Sequence, residues 1–344
     1  MKSNLQDISA FYAEVKRQQE AHKDYLVPAG NMRMANDDLV VIDEAGEFQI
    51  NDLAHSQIAE RLGIPKRYYD DIAAVPGLRT INVNELSRHQ GKTSFVRTLD
   101  KNVRAVLSDR YKPLDNFPIL TESILPVVSE FDGLKMLSNC LTEKRMYLQF
   151  VLPSLVAEVK PGDLVYYGVT ITNSEVGLAS LNIEELLYRL VCSNGAIGQS
   201  IIRKYHSGRR ISTEGNYDIY SEETVLADAK AYQLQIRDIL KHAMTETFLK
   251  KAIEPWKEAA GIKIEKPIET VQNVTKYFNN VIQDKESEII LQRLSVSGDM
   301  TKFGLANAVT NFAQEVNPDR AYELEKTGQK IIELSPSDWH QIAA

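Results

Sequence analysis

The chain has 344 residues, of which 43% are hydrophobic and 25% are charged, and its formal net charge at pH 7 is −7. This length allows two domains, or one large domain with an appendage, and the composition excludes a largely disordered chain. The acidic balance disfavours a protein that binds nucleic acid through a uniformly basic surface.

Cysteine usage and hydropathy bear on the compartment. Two cysteines, Cys140 and Cys192, are too few for a disulfide framework and fit a reducing environment. The amino terminus is charged and amphipathic, unlike a signal sequence, and no apolar run reaches the roughly 20 residues that span a bilayer. We therefore expect a soluble, cytoplasmic protein without a membrane partner.

Residues 1–77 are predicted to form an amino-terminal helical and hairpin region. The spacing of Ile8, Phe11, Tyr12 and Val15 predicts a helix, and "LVVIDEAGEFQI" predicts two short strands. A further helix begins at "NDLAHSQ" and ends where Gly63 and Pro65 interrupt "RLGIPKR". Pro76 and Gly77 mark the predicted boundary.

Residues 78–212 are predicted to form a central α+β domain. Strand-like runs are "TSFVRTL", "NVRAVLSD", "LKMLSNCL", "RMYLQFVL" and "DLVYYGVTITN", separated by turn signals. Two helices are expected among them, "NFPILTESILPVVSEF" and "NIEELLYRLVCSNG". The second helix is indicated by an apolar stripe at helical spacing, made of Ile183, Leu186, Leu187, Leu190 and Val191.

Residues 213–344 are predicted to be a helical carboxy-terminal region. One long helical pattern covers 222–260, with Pro255 as the expected kink, and its near-3.5 period fits either a bundle within the chain or pairing between subunits. Two more helices follow. The predicted fold class is α+β, with a central mostly antiparallel sheet, helices on one face of it and a carboxy-terminal helical bundle.

Few residue patterns point to catalysis. The six histidines are dispersed, so no metal site and no cofactor is predicted. A metal-dependent nuclease is the enzyme alternative, because "SLVAEVK" contains Glu158 and Lys160 in the Glu-x-Lys spacing. In nucleases the glutamate of this spacing holds a divalent ion and the lysine steadies the attacking water.

Basic residues gather in two stretches. The first basic stretch, residues 88–112, has seven basic and two acidic residues; the second basic stretch, residues 187–213, has five basic residues and no acid. Solvated strand faces explain this pattern as well as an anion-binding surface does. Strand alternation predicts Val103 and Ala105 on one face, and Arg104 and Val106 on the other. The candidate nucleic-acid-binding residues are Arg97, Lys101, Arg104, Arg110, Tyr111, Lys112, Arg203, Lys204, Arg209 and Arg210.

Three segments carry a family resemblance. "RAVLSDRYKPLDN", "ITNSEVGLASLNIEELLYRLVCSNGA" and "TKFGLANAVTNFAQE" resemble the phage/plasmid-like proteins of domain-of-unknown-function family 932, in order over roughly residues 50–330. The resemblance implies residence on a phage, prophage or plasmid in a bacterial cytoplasm. It implies no chemistry.

A looser resemblance concerns the order of elements. "VYYGVTITNSEVGLASLNIEELLYRLVCSNG" is similar in order to the core of single-strand annealing proteins, which form rings or filaments. The resemblance implies a positively charged groove that holds single-stranded DNA by its backbone. The matching pieces are the 92–112 strands and the 182–194 helix, with the basic residues between Arg97 and Lys112 as backbone contacts.

We therefore expect a nonenzymatic single-stranded DNA-binding and annealing protein that forms homo-oligomers and acts in recombination or replication. The alternatives are the nuclease centred on Glu158 and Lys160, and an anti-defence interaction protein whose basic stretches meet an acidic protein partner. Whether any bond is broken is left open by the sequence.

Overall fold

The computed structural model describes residues 8–190, 193–204, 222–279 and 281–343, and it is an α+β structure with two sheets. The strands are β1 (Lys23–Val27), β2 (Met32–Asn36), β3 (Leu39–Ile42), β4 (Gly46–Ile50), β5 (Ser94–Leu99), β6 (Asn102–Ser108), β7 (Lys135–Leu141), β8 (Met146–Lys160), β9 (Asp163–Asn173), β10 (Leu181–Arg189) and β11 (Asn194–Lys204). The helices are α1 (Ile8–Ala21), α2 (Asp52–Leu62), α3 (Lys66–Asp71), α4 (Leu78–Gln90), α5 (Asn116–Pro118), α6 (Leu125–Val128), α7 (Glu222–Ala243), α8 (Glu246–Gly261), α9 (Pro267–Tyr277), α10 (Asp284–Ser297), α11 (Lys302–Phe312), α12 (Pro318–Glu333) and α13 (Pro336–Ala343).

The amino-terminal sheet has the strand order β1-β5-β6-β4-β3-β2. Neighbouring strands are antiparallel except β4 and β6, which are parallel. The long connection through α2 to α4 and β5 is what a parallel pairing requires. Helices α2 and α4 pack on this sheet, around buried residues such as Val96 and Val106. The sequence division at residue 77 does not coincide with a boundary between sheets, because β5 and β6 pair with strands from before it.

The central sheet has the order β11-β10-β9-β8-β7 and is antiparallel throughout. Its main core forms on the face that carries Leu148, Phe150 and Tyr167, where α7, α8 and the carboxy-terminal helices contribute apolar side chains. The five strand runs predicted between residues 78 and 212 are confirmed as β5 to β9. Strands β5 and β6 belong to the amino-terminal sheet, and β7 to β9 belong to the central sheet.

The predicted helix at 182–194 is wrong, because the described residues of this segment lie in β10, in the turn residues beside it and at the start of β11. Along β10, Ile183 and Leu187 face the main core, whereas Leu186 joins a second cluster with Tyr322 of α12. Since both faces of this strand are covered, apolar residues occur at positions that also fit a helical stripe.

The segment from α5 to α6 contains a π-helix, Ile119–Ile124, before Pro126. Pro126 has no amide N–H, so it cannot bond the carbonyl of Glu122 four residues earlier. The side chain of Arg237 in α7 donates to that carbonyl oxygen at 2.6 Å instead. A side chain from another helix thus satisfies the backbone group that proline leaves open.

The predicted single helix over 222–260 is two helices, and the break lies at Met244 and Thr245 rather than at Pro255. Of the residues that give α7 its near-3.5 period, Ile236 and Ala243 are buried, whereas Ala229 is exposed. Leu240 is also buried, and α7 packs on the π-helix and on α6. Among the described helices, none combines the length and the apolar character that crossing a membrane requires.

Candidate nucleic-acid interface

Two candidate residues of the first basic stretch, Arg97 and Arg104, lie at the junction between the two sheets. We call residues 174–180, which connect β9 to β10, the β9–β10 turn. This turn packs against β5 and β6: its Gly177 has φ +79° and lies against the Leu107 side chain, and the carbonyl of Val176 accepts a hydrogen bond from Gln57 of α2 at 2.8 Å. The candidate residues in the middle of β5 and β6 therefore face another part of the same chain.

Arg97 is buried in this junction, with 4% of its side chain exposed. Its guanidinium donates to Asp24 at 2.9 Å, to Asp115 at 2.6 Å and to the carbonyl of Glu175 at 3.1 Å. Burial lowers the pKa of Arg97, but the negative charges of Asp115 and Asp24 raise it by more. The pKa of Arg97 therefore lies above the ordinary arginine value. The guanidinium is charged, and each of its three nitrogens donates to a group within the protein.

Arg104 reaches the same turn because of a β-bulge. Thr98 pairs with Val103 and Arg97 pairs with Ala105, which leaves Arg104 without an opposite residue. A bulge re-aims the side chain at its extra position. Arg104 donates to Glu175 at 3.1 Å, while the other carboxylate oxygen of Glu175 accepts from the amide of Asn116.

The strand alternation predicted for β6 is wrong at this bulge. Val103 and Val106, expected on opposite faces, both belong to the core under α2. An exposed position is also wrong for Arg97 and Arg104, whose guanidinium groups meet carboxylates between the sheets. Tyr111 is half-buried as well: its hydroxyl donates to the carbonyl of Ser174 at 3.3 Å, and burial raises its pKa.

Three candidate residues of the first basic stretch are exposed: Lys101, Arg110 and Lys112. Lys112 forms an exposed ion pair with Asp228 of α7 at 2.8 Å. Lys101 lies in the β5–β6 turn, at the opposite end of β6 from Arg110 and Lys112. At about 3.3 Å per residue, the length of β6 separates Lys101 from them by roughly 20 Å. The structure therefore keeps Arg110 and Lys112 together and separates Lys101 from them.

The second basic stretch approaches the same place through β11. Arg203 pairs with Asn182 of β10, and Lys204 pairs with Leu181. Leu181 directly follows the β9–β10 turn, whose Ser174 contacts Tyr111, the residue between Arg110 and Lys112. The described end of β11 thus lies at the end of the central sheet where the first basic stretch ends. Arg209 and Arg210 lie outside the described residues.

The Glu-x-Lys pair has ordinary structural partners. Glu158 accepts the amide of Gly162 at 2.5 Å within the β8–β9 turn, and Lys160 pairs with Asp299 at 2.5 Å. Over the described ranges, no three His, Cys, Asp or Glu side chains are grouped in a way that could hold a metal ion.

Sequence reasoning missed a polar cluster on the second face of the central sheet. The Tyr322 hydroxyl of α12 donates to Glu184 of β10 at 2.5 Å, and Lys326 donates to the same carboxylate at 2.7 Å. Burial and the charge of Glu184 raise the pKa of Tyr322. The cluster attaches α12 to the sheet. No signal in the sequence joins residues so far apart once 182–194 is taken as a helix.

Comparison with known proteins gives one match. A family model described as a domain of unknown function (DUF932) matches residues 103–333. No curated protein and no solved structure matches the chain. The matched range begins within β6 and includes the β9–β10 turn, so it contains both sides of the Arg104–Glu175 contact.

Proposed function

The chain belongs to the domain-of-unknown-function family DUF932, and on that premise we propose that it is a nonenzymatic single-stranded DNA-binding and annealing protein. We assign it to recombination or replication of a phage, prophage or plasmid, in the cytoplasm of the host. Its contact surface is formed by Arg110 and Lys112 together with the end of β11.

One observation carries the proposal. The β10–β11 pairing brings Arg203 and Lys204, which are about ninety positions from Arg110 in the sequence, to the end of the sheet where Arg110 and Lys112 lie. Positive charges gathered at one place attract a polyanion more strongly than the same charges spread over a surface. Arg97 and Arg104 are not part of this surface, because their guanidinium groups form ion pairs with carboxylates of the same chain.

The chemistry of this surface favours contact with the DNA backbone. Flexible lysine and arginine side chains track phosphates, whereas the one candidate aromatic residue, Tyr111, packs against Phe95 of β5 at 6.0 Å between ring centroids. Bases held only through their phosphates stay free to pair with a second strand. Binding of this kind is weakly dependent on sequence and strongly dependent on salt.

Binding to a labelled single-stranded oligonucleotide, followed by fluorescence anisotropy over a salt series, tests the proposal. We expect log K to fall with log salt by about 0.7 for each phosphate contacted. The double variants Arg110→Glu/Lys112→Glu and Arg203→Glu/Lys204→Glu should each weaken binding about tenfold or more and flatten the slope. Lys101→Glu is the matched control, and its affinity should equal that of the unaltered protein.

Several outcomes would count against the proposal. If the protein does not bind the oligonucleotide at low salt, the proposal is wrong. If Lys101→Glu lowers the affinity as much as the double variants do, the binding surface has been assigned to the wrong residues. Magnesium-dependent cleavage that Glu158→Ala abolishes would favour the nuclease alternative. Homo-oligomer formation is part of the proposal, and light scattering with and without oligonucleotide should show an assembly larger than one chain.

A further inference from the structure

A cleft of about 1040 Å³ opens among the carboxy-terminal helices. It lies where α8 ends, where α11 begins and where the chain passes from α12 to α13. Clefts that hold small molecules have volumes of about 300–1,000 Å³ and apolar walls that carry a few polar groups. The size of this cleft therefore suits a small molecule.

Backbone hydrogen bonds hold one side of the cleft in place. The amide of Ile264 donates to the carbonyl of Met300 at 2.8 Å, and the amide of Lys302 donates to the carbonyl of Ile262 at 2.9 Å. These bonds belong to a short antiparallel bridge, which attaches the segment after α8 to the beginning of α11. The side of the cleft that carries Ile262 and Lys302 is thus fixed by the fold itself.

Apolar side chains form much of the wall. They are those of Pro255, Ala259, Ile262, Ile332, Leu334 and Trp339. The indole of Trp339, in α13, is the largest of them, and it presents a flat apolar surface. The wall therefore favours a ligand whose body is flat and apolar.

Lys302 places a buried positive charge at the same cleft. The residue is 4% exposed, and lysine is almost never buried to this degree unless an acidic group pairs with it. Within the ranges that the structure describes, no carboxylate lies at ion-pair distance from its Nζ. Burial lowers the pKa of Lys302, and the negative charge of Glu258 opposes this shift without cancelling it. The ammonium group is thus held at the cleft without a counter-ion in contact.

The contacts of Lys302 within the protein use only part of its hydrogen-bonding capacity. Its Nζ donates to the carbonyl of Leu334, at the end of α12, at 2.9 Å, and lies 5.3 Å from the centroid of the Trp339 ring. An ammonium group has three N–H donors. The carbonyl takes one and the ring faces at most one other, so at least one donor is left for a group in the cleft. An uncharged side chain could bond the same carbonyl without the cost of burying a charge.

The other charges that line the cleft are exposed and of both signs. They are the carboxylates of Glu258, Glu265 and Glu333, the ammonium groups of Lys263 and Lys266, and the imidazole of His340. Three carboxylates at the mouth repel a polyanion such as a nucleic acid. A ligand with a single negative charge can avoid them and reach Lys302.

We propose that this cleft binds a small organic carboxylate with a flat apolar body. The carboxylate pairs with the ammonium group of Lys302, and the apolar body lies against the indole of Trp339. Hydrogen bonds between ionised partners are about twice as strong as neutral ones, so the carboxylate supplies the counter-ion that the buried lysine lacks. This inference goes beyond the proposed function, because it concerns another class of ligand and another part of the chain.

Isothermal titration calorimetry on the full chain, with 2-naphthoate as the probe, tests the inference. We expect saturable binding of 2-naphthoate. The amide 2-naphthamide has the same rings without the charge and should bind about tenfold more weakly or worse. Acetate has the charge without the rings and should show a similar loss of affinity. ATP, which is a polyanion, should not displace 2-naphthoate.

Lys302→Met removes the charge and keeps most of the side-chain volume. It should lower the affinity for 2-naphthoate about tenfold or more. The preference for 2-naphthoate over 2-naphthamide should disappear in the same variant, which a purely structural role of Lys302 would not cause. If the variant keeps both the affinity and the preference, the inference is wrong.

A second pair of variants leaves Lys302 in place. Ile262→Asp puts a negative charge into the wall at an exposed position and should lower the affinity for 2-naphthoate about tenfold. The matched control is Ile81→Asp, at an exposed isoleucine of α4, and its affinity should be unchanged. Equal effects of the two aspartates, equal affinity for the acid and the amide, or no saturable binding of 2-naphthoate would overturn the inference. None of these measurements involves DNA, so the inference and the proposed function fail independently.

Discussion

The guanidinium of Arg104 donates to the carboxylate of Glu175 across the junction of the two sheets, at 3.1 Å. Their side chains are 13% and 11% exposed, so the pair is largely shielded from water. The two residues belong to the segments "RAVLSDRYKPLDN" and "ITNSEVGLAS", which lie 71 positions apart in the chain. Charges that suggest a ligand in the sequence thus connect two parts of one protein.

Arg97→Met should lower the free energy of unfolding by about 2–4 kcal/mol, since it leaves Asp24 and Asp115 without their counter-ion in a shielded site. Urea denaturation followed by circular dichroism measures the change. Arg33→Met, on the exposed strand β2, is the control and should shift stability by less than about 0.5 kcal/mol. Equal small effects for both variants would mean that the junction adds little stability.

Arg237→Met should destabilise the protein by about 1–3 kcal/mol, because it removes the guanidinium that donates to the carbonyl of Glu122. Pro126 has no backbone N–H and cannot replace that hydrogen bond. Thermal or chemical unfolding measures this destabilisation. Lys230→Met removes an exposed pair with the Glu122 carboxylate at 3.8 Å and should change stability by less than about 0.5 kcal/mol. A similar change in both variants would contradict the role assigned to Arg237.

Gly168→Ala should cost about 3 kcal/mol or prevent folding, since the added Cβ would lie 1.9 Å from the carbonyl oxygen of Phe150 in β8. Soluble yield and urea midpoint report the effect. Gly261→Ala places the same methyl group at the end of α8 with nothing within 4 Å, and should be neutral or stabilising by about 0.5 kcal/mol. If Gly168→Ala folds normally, β8 and β9 are spaced differently from the structure.

His55 should make stability depend on pH. Burial, and then the charge of Arg79, lowers the pKa of His55 in the folded protein. Below the ordinary histidine pKa of about 6.5, the unfolded chain therefore takes up a proton that the folded protein resists. The stability that the neutral form of His55 contributes is fully present above that pH. As the pH falls below it, the free energy of unfolding decreases by at most about 1.4 kcal/mol per pH unit.

Urea unfolding at pH 7.5, 6.5 and 5.5 measures this dependence. His55→Gln should flatten it, whereas His89→Gln, on the exposed side of α4, should leave the slope of the unaltered protein. Identical slopes for the two variants would show that another group causes the dependence.

The sequence predicted most strands of the central sheet, because each run is apolar, β-branched and bounded by turn residues. It failed at β10, where Glu184 and Glu185 are followed by two leucines. These are good helix formers, but in the fold Tyr322 donates a hydrogen bond to Glu184 and Lys326 neutralises it, from positions 138 and 142 residues later in α12. Local propensity could not anticipate partners at that distance.

The placement of the candidate residues in the fold could be predicted only in part, again because the partners of buried charges lie far away in the sequence. Counting charges located both basic stretches, and their ends approach each other. The alternation rule could not reveal the bulge at Arg104 or the carboxylates around Arg97, since Asp24 and Glu175 come from other elements. The break between α7 and α8 lies at Met244 and Thr245, and Pro255, which lies inside α8, does not indicate it.

The parallel pairing of β4 with β6 affects how the chain can be divided for experiments. The family match starts at Val103, within β6, so a fragment trimmed to that match would lose both strands that flank β6. Unpaired strand edges recruit other chains and aggregate. Truncations intended to isolate the matched region should therefore retain these strands, and also α1, whose Phe11 and Val15 are buried in the main core.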